Sequence, residues 1–285
     1  MDERPLGIVA GSGAFPAAVA ESVRAQGREV VLFLIQGFAD PALERYEHHW
    51  FRLGSLGSVA SKAKARGIQQ VVMVGGLTRP RLRDLGLDWT MLRLLPRIAG
   101  LFRGGDNHLL SGVLQLVAEQ GFTLSGAHEV APGLLLPEGV LGAVTPSTQD
   151  RADVARGLDV IRALGPYDVG QGVIVVDGWV AAVEAAEGTD QMLARYGELR
   201  RSGRLRVSAG RGVLVKAPKP EQDRRIDLPS LGPATVARAH EVGLRGIAFE
   251  AGGAIVPETQ ALVAAADAAG LFVVGVGHGA PGANA

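Results

Sequence analysis

Short apolar runs alternate with longer amphipathic ones through the first half of the chain. "LGIVAG" (6–11) and "EVVLFLI" (29–35) are continuously apolar, as is "QVVMVGG" (70–76) apart from its polar start. "PAAVAESVRAQG" (16–27) and "SVASKAKARGI" (58–68) carry apolar positions at helical spacing. Continuous rather than alternating apolar strands predict a parallel sheet covered on both faces. Strand–helix–strand repetition then predicts a doubly wound, Rossmann-like arrangement. "DNHLLSGVLQLVAEQGF" (106–122) extends the pattern with one more helix and a glycine stop.

The texture changes at "APGLLLPEGVLGAVTPS" (131–147), which holds three prolines and no helical period. The expected division is an N-terminal domain over 1–132, a linker over 133–146 and a C-terminal domain over 147–285. After Ser147, a candidate N-cap, "RADVARGLDVIRALG" reads as a helix. "GVIVVDGWVAAVEA" (172–185) is two apolar runs about Asp177-Gly178, a strong hairpin signal. "TDQMLARYGELRRSG" (189–203), "PATVARAHEVG" and "PETQALVAAADAAG" read as helices, with "GVLVKA", "GIAFEA" and "LFVVGV" as strands. The second domain is therefore also α/β, and its hairpin predicts a mixed sheet.

Composition narrows the function. Lys plus Arg and Asp plus Glu number 29 each, so no overall field favours nucleic acid, and anion binding must come from local charge. The 285 residues include no cysteine, which excludes disulfides, thiolate metal sites and thiol catalysis, and fits a reducing cytoplasm. No apolar run approaches the roughly 18 residues of a membrane span. The opening segment superficially resembles a signal peptide, but Asp2, Glu3 and the interrupting glycines and proline argue against one.

Candidate chemistry gathers at a few turns. Gly11, Ser12 and Gly13 follow a strand and open a helix, where backbone N–H groups can cradle phosphate; a plain tight turn is the bland alternative. Pro16 replaces the third small residue of the dinucleotide fingerprint, and the second strand ends at Gln36 without a carboxylate, which argues against an NAD dehydrogenase. "WTMLRLLPRIAGLFRGGDN" (89–107) sets apolar residues against Arg93, Arg97 and Arg103, as a core helix or a lipid-facing one would. Asp106 is an N-cap or a metal ligand, and His128 beside Glu129 lacks the spacing of a zinc site. Glu184 sits in an apolar run and needs a partner. Thr189 and Asp190 are either caps or site residues. The densest charge lies in "KAPKPEQDRRIDLPSLG" (216–232), where Lys216 and Lys219 can meet phosphate oxygens and Asp227, among cations, suits Mg²⁺. A solvated salt-bridge loop would read the same way.

"GIVAGSGAFP", "GAHEV", "DVGQGVIV", "VEAAEGTDQML", "KAPKPEQDRRIDLPSLG" and "IAFEAGG", in that order, resemble the LpxI-type UDP-2,3-diacylglucosamine pyrophosphatases of lipid A biosynthesis. The resemblance implies hydrolysis of UDP-2,3-diacylglucosamine to UMP and 2,3-diacylglucosamine 1-phosphate (lipid X). It also implies a divalent cation, Mg²⁺ or another such as Mn²⁺, and two domains with a crevice between them that holds the lipid. Homodimers and peripheral contact with the inner membrane surface are implied partners. By position, the resemblance puts the essential aspartate at Asp227, with Asp106 and Asp190 as further catalytic candidates. Gly11, Ser12, Gly13, His128, Gln171, Thr189, Lys216 and Lys219 become the substrate-binding candidates. Asn107 departs from the family's usual second aspartate. A non-catalytic carrier of nucleotide-sugar lipids is the alternative from another class.

Overall fold

A computed structural model describes residues 4–77, 115, 117–219, 224, 225 and 228–277. The chain forms two compact units, one of Met1–Leu134 with Asp223–Asp227, the other of Leu135–Gln222 with Leu228–Ala285.

In the first unit, β1 (Leu6–Ala10), β2 (Val30–Ile35), β3 (His48–Phe51), β4 (Gln70–Val74) and β5 (Thr123–Ser125) form a parallel sheet in the order β3-β2-β1-β4-β5. All six residues of β2 are buried, as a strand covered on both faces requires. Helix α1 (Phe15–Ala25) buries Pro16, Val19, Ala20 and Val23, one face at the 3.6-residue period. Each buried valine there contributes about 1.5–3 kcal/mol. Helix α2 (Leu56–Ala65) turns Ala60 and Ala63 inward. Phe33, Ile35, Phe51, Ile68, Val71 and Leu124 fill the layer beside it. The strand order reverses between β1 and β4, and such switch points are where open α/β sheets take ligands. A short helix, α3 (Ala127–Val130), follows β5.

The second unit has a mixed sheet in the order β6-β11-β10-β9-β7-β8. Its strands are β6 (Gly139–Leu141), β7 (Gly172–Val176), β8 (Trp179–Val183), β9 (Val213–Lys216), β10 (Gly246–Glu250) and β11 (Phe272–Val276). β9, β10 and β11 are parallel, whereas β7 pairs antiparallel with β8 and β9, and β6 antiparallel with β11. Period-two alternation divides the core. Val173, Val175, Val213 and Val215 meet α4 (Thr148–Leu164), and Ile174, Val176, Leu214 and Ile247 face the other way. That second face is covered by α5 (Gly188–Arg201), α6 (Pro233–Glu241) and α7 (Thr259–Ala269). Gly157 brings α4 close to the sheet, since a Cβ there would lie 2.6 Å from Val215 Cγ2.

Ser147 caps α4 as its position predicts, with its hydroxyl accepting from Asp150 N and Asp150 returning the bond. Asp177 and Gly178 both take positive φ, 49° and 79°, as a tight two-residue hairpin needs. Asp153, 1% exposed, accepts from both turn N–H groups at 2.9 and 2.6 Å and so ties the hairpin to α4.

Two expected boundaries change. The stretch 133–146 contains β6, so part of the predicted linker is a sheet edge. The chain also belongs to the second unit through Lys219, to the first at Arg224 and Arg225, and to the second again from Leu228. The charged segment is thus shared by both units instead of belonging to the C-terminal one alone.

Candidate active site

The carboxyl end of β9 places Lys216 opposite Gly172, the first residue of antiparallel β7. β8 runs back to the same sheet edge and hands over to Glu184, whose N–H donates to Gly172 O at 2.8 Å. The first turn of α5 supplies Thr189. Lys216 Nζ donates to Thr189 Oγ1 at 2.8 Å, and Thr189 Oγ1 donates to Glu184 Oε1 at 3.1 Å. Lys216 is only 7% exposed, so its charge is held at the sheet edge by polar partners instead of by bulk water.

The glycines of "GQG" make room for this arrangement. A Cβ at Gly172 would lie 2.5 Å from Glu184 Oε2, and one at Gly170 would lie 2.4 Å from Glu184 O. Gln171 O, between them, accepts from Ala217 N at 3.1 Å and ties the turn to the residue after Lys216. Arg195 braces the connection to α5 by donating to Val183 O at 2.9 Å and Glu187 Oε1 at 2.7 Å. The Glu187 carboxyl is held below its ordinary value by a backbone N–H and then by the Arg195 guanidinium.

Lys219, with an 11% exposed side chain, pairs with Asp168, a residue in the left-handed region at φ 54°. Glu250, also buried, ends β10 next to Phe249, the partner of Lys216 across the ladder. Asp190 turns elsewhere. Its carboxylate is 58% exposed and pairs with Arg238 of α6, so the adjacent residues Thr189 and Asp190 serve different neighbourhoods.

In the first unit the Gly11-Ser12-Gly13 turn abuts the turn after β4. Ser12 N donates to Gly76 O and Gly76 N to Ser12 O, both at 2.9 Å, and the Ser12 hydroxyl reaches Gly76 O at 3.0 Å. A Cβ on Gly11 would stand 2.5 Å from Gly76 O. No side chain caps α1, whose N-terminus follows this turn. His128 lies on α3 with its ring folded over Gly126, where a Cβ would come within 2.4 Å of Nδ1 and 3.1 Å of Arg225 Cα. His128 Nδ1 is buried without a hydrogen-bond partner among the described residues, and Nε2 is 4.0 Å from Glu129 Oε1. "GAHEV" and Arg225 of "RRID" therefore meet in the first unit. Asp106, Asn107, Asp227 and the amphipathic stretch 89–107 lie outside the described residues.

Residues 5–134 match the LpxI N-terminal domain, and residues 137–274 match the LpxI C-terminal domain. The chain belongs to the LpxI family. A curated relative, UDP-2,3-diacylglucosamine pyrophosphatase LpxI of Caulobacter vibrioides, is 43% identical over 273 residues, covering 96% of this chain and 98% of its own. Among solved structures, a GalE-like L-threonine dehydrogenase from Cupriavidus necator aligns over 96% of both chains. At 12% identity and a TM-score of 0.29, that likeness carries no argument.

For an LpxI family member, the sheet edge of the second unit thus joins two of its motifs, the "GQG" turn and the "EGTD" loop, through Lys216. Sequence reasoning singled out Glu184 as a carboxylate in need of a partner but could not supply Thr189. It did not single out Asp168, a carboxylate in a short turn, or Glu250, whose only signal is its place at the end of an apolar run. Among the described residues no group of three or more His, Asp or Glu side chains could hold a metal ion. Mg²⁺ commonly uses one or two carboxylates together with substrate phosphates and water, a mode that Asp227 suits by its donor chemistry.

Proposed function

We propose that the chain hydrolyses UDP-2,3-diacylglucosamine at its pyrophosphate. One P–O–P bridge is broken and one water is consumed, giving UMP and 2,3-diacylglucosamine 1-phosphate. The observation that carries this reading is the near-full-length match, 43% identical over both domains, to a relative named for that activity. Buried Lys216 supports it, because an ammonium held by Thr189 is suited to a phosphate oxygen. Lys219 and the Gly13 N–H, where the turn opens α1, are the further phosphate donors of this reading, since the Gly11 and Ser12 N–H groups donate to Val74 O and Gly76 O. His128 and Gln171 line the substrate, and the apolar, arginine-bordered stretch 89–103 meets the acyl chains. Asp227 would hold Mg²⁺ or Mn²⁺, with Asp106 as a second carboxylate, and the bound cation would neutralise diphosphate charge. The protein works as a homodimer at the cytoplasmic face of the membrane, in peripheral contact with it; among the described residues no helix is long and apolar enough to cross.

The test strips the protein of metal with a chelator, adds UDP-2,3-diacylglucosamine, and follows UMP as Mg²⁺ or Mn²⁺ is restored. UMP should appear only with metal, and Asp227→Ala should lose turnover while retaining substrate. No UMP with any divalent cation would overturn the reading.

A further inference from the structure

We propose that Glu184 is a positioning residue that acts through Thr189 to aim the Lys216 ammonium; this rests on the hydrolase reading above. The direction of the chain of bonds follows from proton supply. A threonine hydroxyl has one hydrogen and two lone pairs, whereas an ionised carboxylate only accepts and an ammonium only donates. Thr189 must therefore give its hydrogen to Glu184 Oε1, at 3.1 Å, and offer a lone pair to Lys216 Nζ, at 2.8 Å. One N–H of Lys216 is thereby set by Glu184, with the hydroxyl joining the two side chains.

The surroundings favour this over simple packing. Glu184 Oε2 is buried and has no hydrogen-bond partner among the described residues, which is costly for a carboxylate kept only as filler. It occupies space that exists because position 172 is glycine, whose Cβ would stand 2.5 Å away. Gly170 likewise admits the Glu184 backbone. The Glu184 main chain is fixed by its bond to Gly172 O, and Gly172 is the ladder partner of Lys216. Main chain and side chain therefore tie Glu184 to the same lysine by two routes. Thr189 contributes this link and no cap: α5 has Glu187 at its N-cap and no capping side chain there.

The test is a set of cycles in the full-length protein: Glu184→Gln, Glu184→Ala and Thr189→Val, each in the wild-type and the Lys216→Ala backgrounds. UMP release is measured, along with Tm. Glu184→Ala and Thr189→Val should each lower kcat about tenfold with KM changed less than about threefold, the split expected when aim in the transition state is lost. Glu184→Gln keeps an acceptor for Thr189 and should recover most of the loss. In the Lys216→Ala background, none of the three should lower kcat by more than about twofold further, because coupled residues are not additive. Full multiplicative losses on top of Lys216→Ala would overturn the proposal. Unchanged kcat in Glu184→Ala, or a loss that only follows the folded fraction reported by Tm, would overturn it as well. A wild-type protein that releases no UMP would instead bring down the hydrolase reading, and this proposal with it.

Discussion

The Gly11-Ser12-Gly13 turn and the Gly170-Gln171-Gly172 turn both lie at strand ends, and they use glycine for different reasons. At the first, the close neighbours of Gly11 are backbone atoms: Gly76 O would stand 2.5 Å from a Cβ, and reciprocal Ser12–Gly76 backbone bonds lock the two turns together. At the second, the atom that a Gly172 Cβ would meet is the carboxylate oxygen of Glu184, part of a network that ends on buried Lys216. One turn lets two stretches of main chain close on each other. The other makes room for charge. A glycine-rich motif in an α/β chain can therefore mark a close backbone contact or the back wall of a side-chain cluster, and only its neighbours distinguish them.

That contrast can be broken at either end. The largest effect is expected from Gly11→Ala, because a carbonyl of a neighbouring turn cannot swing aside as a side-chain end can. It should destabilise the first unit by about 3 kcal/mol through overpacking. Denaturant unfolding of the variant would check this, and an unchanged midpoint would mean that the two turns separate readily.

Lys216→Ala should act on the other side of the comparison, reducing kcat/KM about 10²-fold, the scale for losing one preorganised donor. Its Tm should move much less than that of Gly11→Ala. A thermal-shift assay beside the UMP assay separates the two outcomes.

Asp153→Ala removes the acceptor of two hairpin N–H groups and should cost about 2 kcal/mol of second-unit stability. Because the hairpin end is the far end of β7 from Gly172, specific activity per folded molecule should change little.

The first unit should also carry its own pH response. Burial, and then Lys62, hold the His49 imidazole on β3 below its ordinary 6.5. The unfolded chain then binds more protons below that value, so stability is complete above about pH 6.5 and is lost as pH falls below it. His49→Gln should flatten the profile of Tm against pH between 5 and 7 on this argument.

The smallest effect belongs to Arg238→Ala. Its ion pair with Asp190 is 45% and 58% exposed on the two sides, a class worth about 0–1 kcal/mol. If turnover falls tenfold or more with Asp190→Ala but not with Arg238→Ala, the carboxylate has a role beyond the pair.

Much of this was legible in advance, for reasons that the same contrast makes clear. β1, β2, β7, β9, β10 and β11 announce themselves as apolar runs because they are buried on both faces. β3 does not, since "HHWF" is half-buried and carries two histidines. Nor does β6, three residues between proline and glycine that owe their strand conformation to β11. The dense charge at 216–232 reads as one cluster in sequence, yet Lys216 joins Thr189 and Glu184 while Lys219 pairs with Asp168. Thr189 and Asp190 show the limit at its sharpest. Successive residues on a helix point about 100° apart, so one faces the site and the next faces α6, and no local pattern says which.

The most direct test of the account is product identification by mass spectrometry after the metal-loaded protein has met UDP-2,3-diacylglucosamine. Cleavage within the pyrophosphate predicts UMP and 2,3-diacylglucosamine 1-phosphate in equal amounts. UDP with free 2,3-diacylglucosamine, or unreacted substrate, would contradict it.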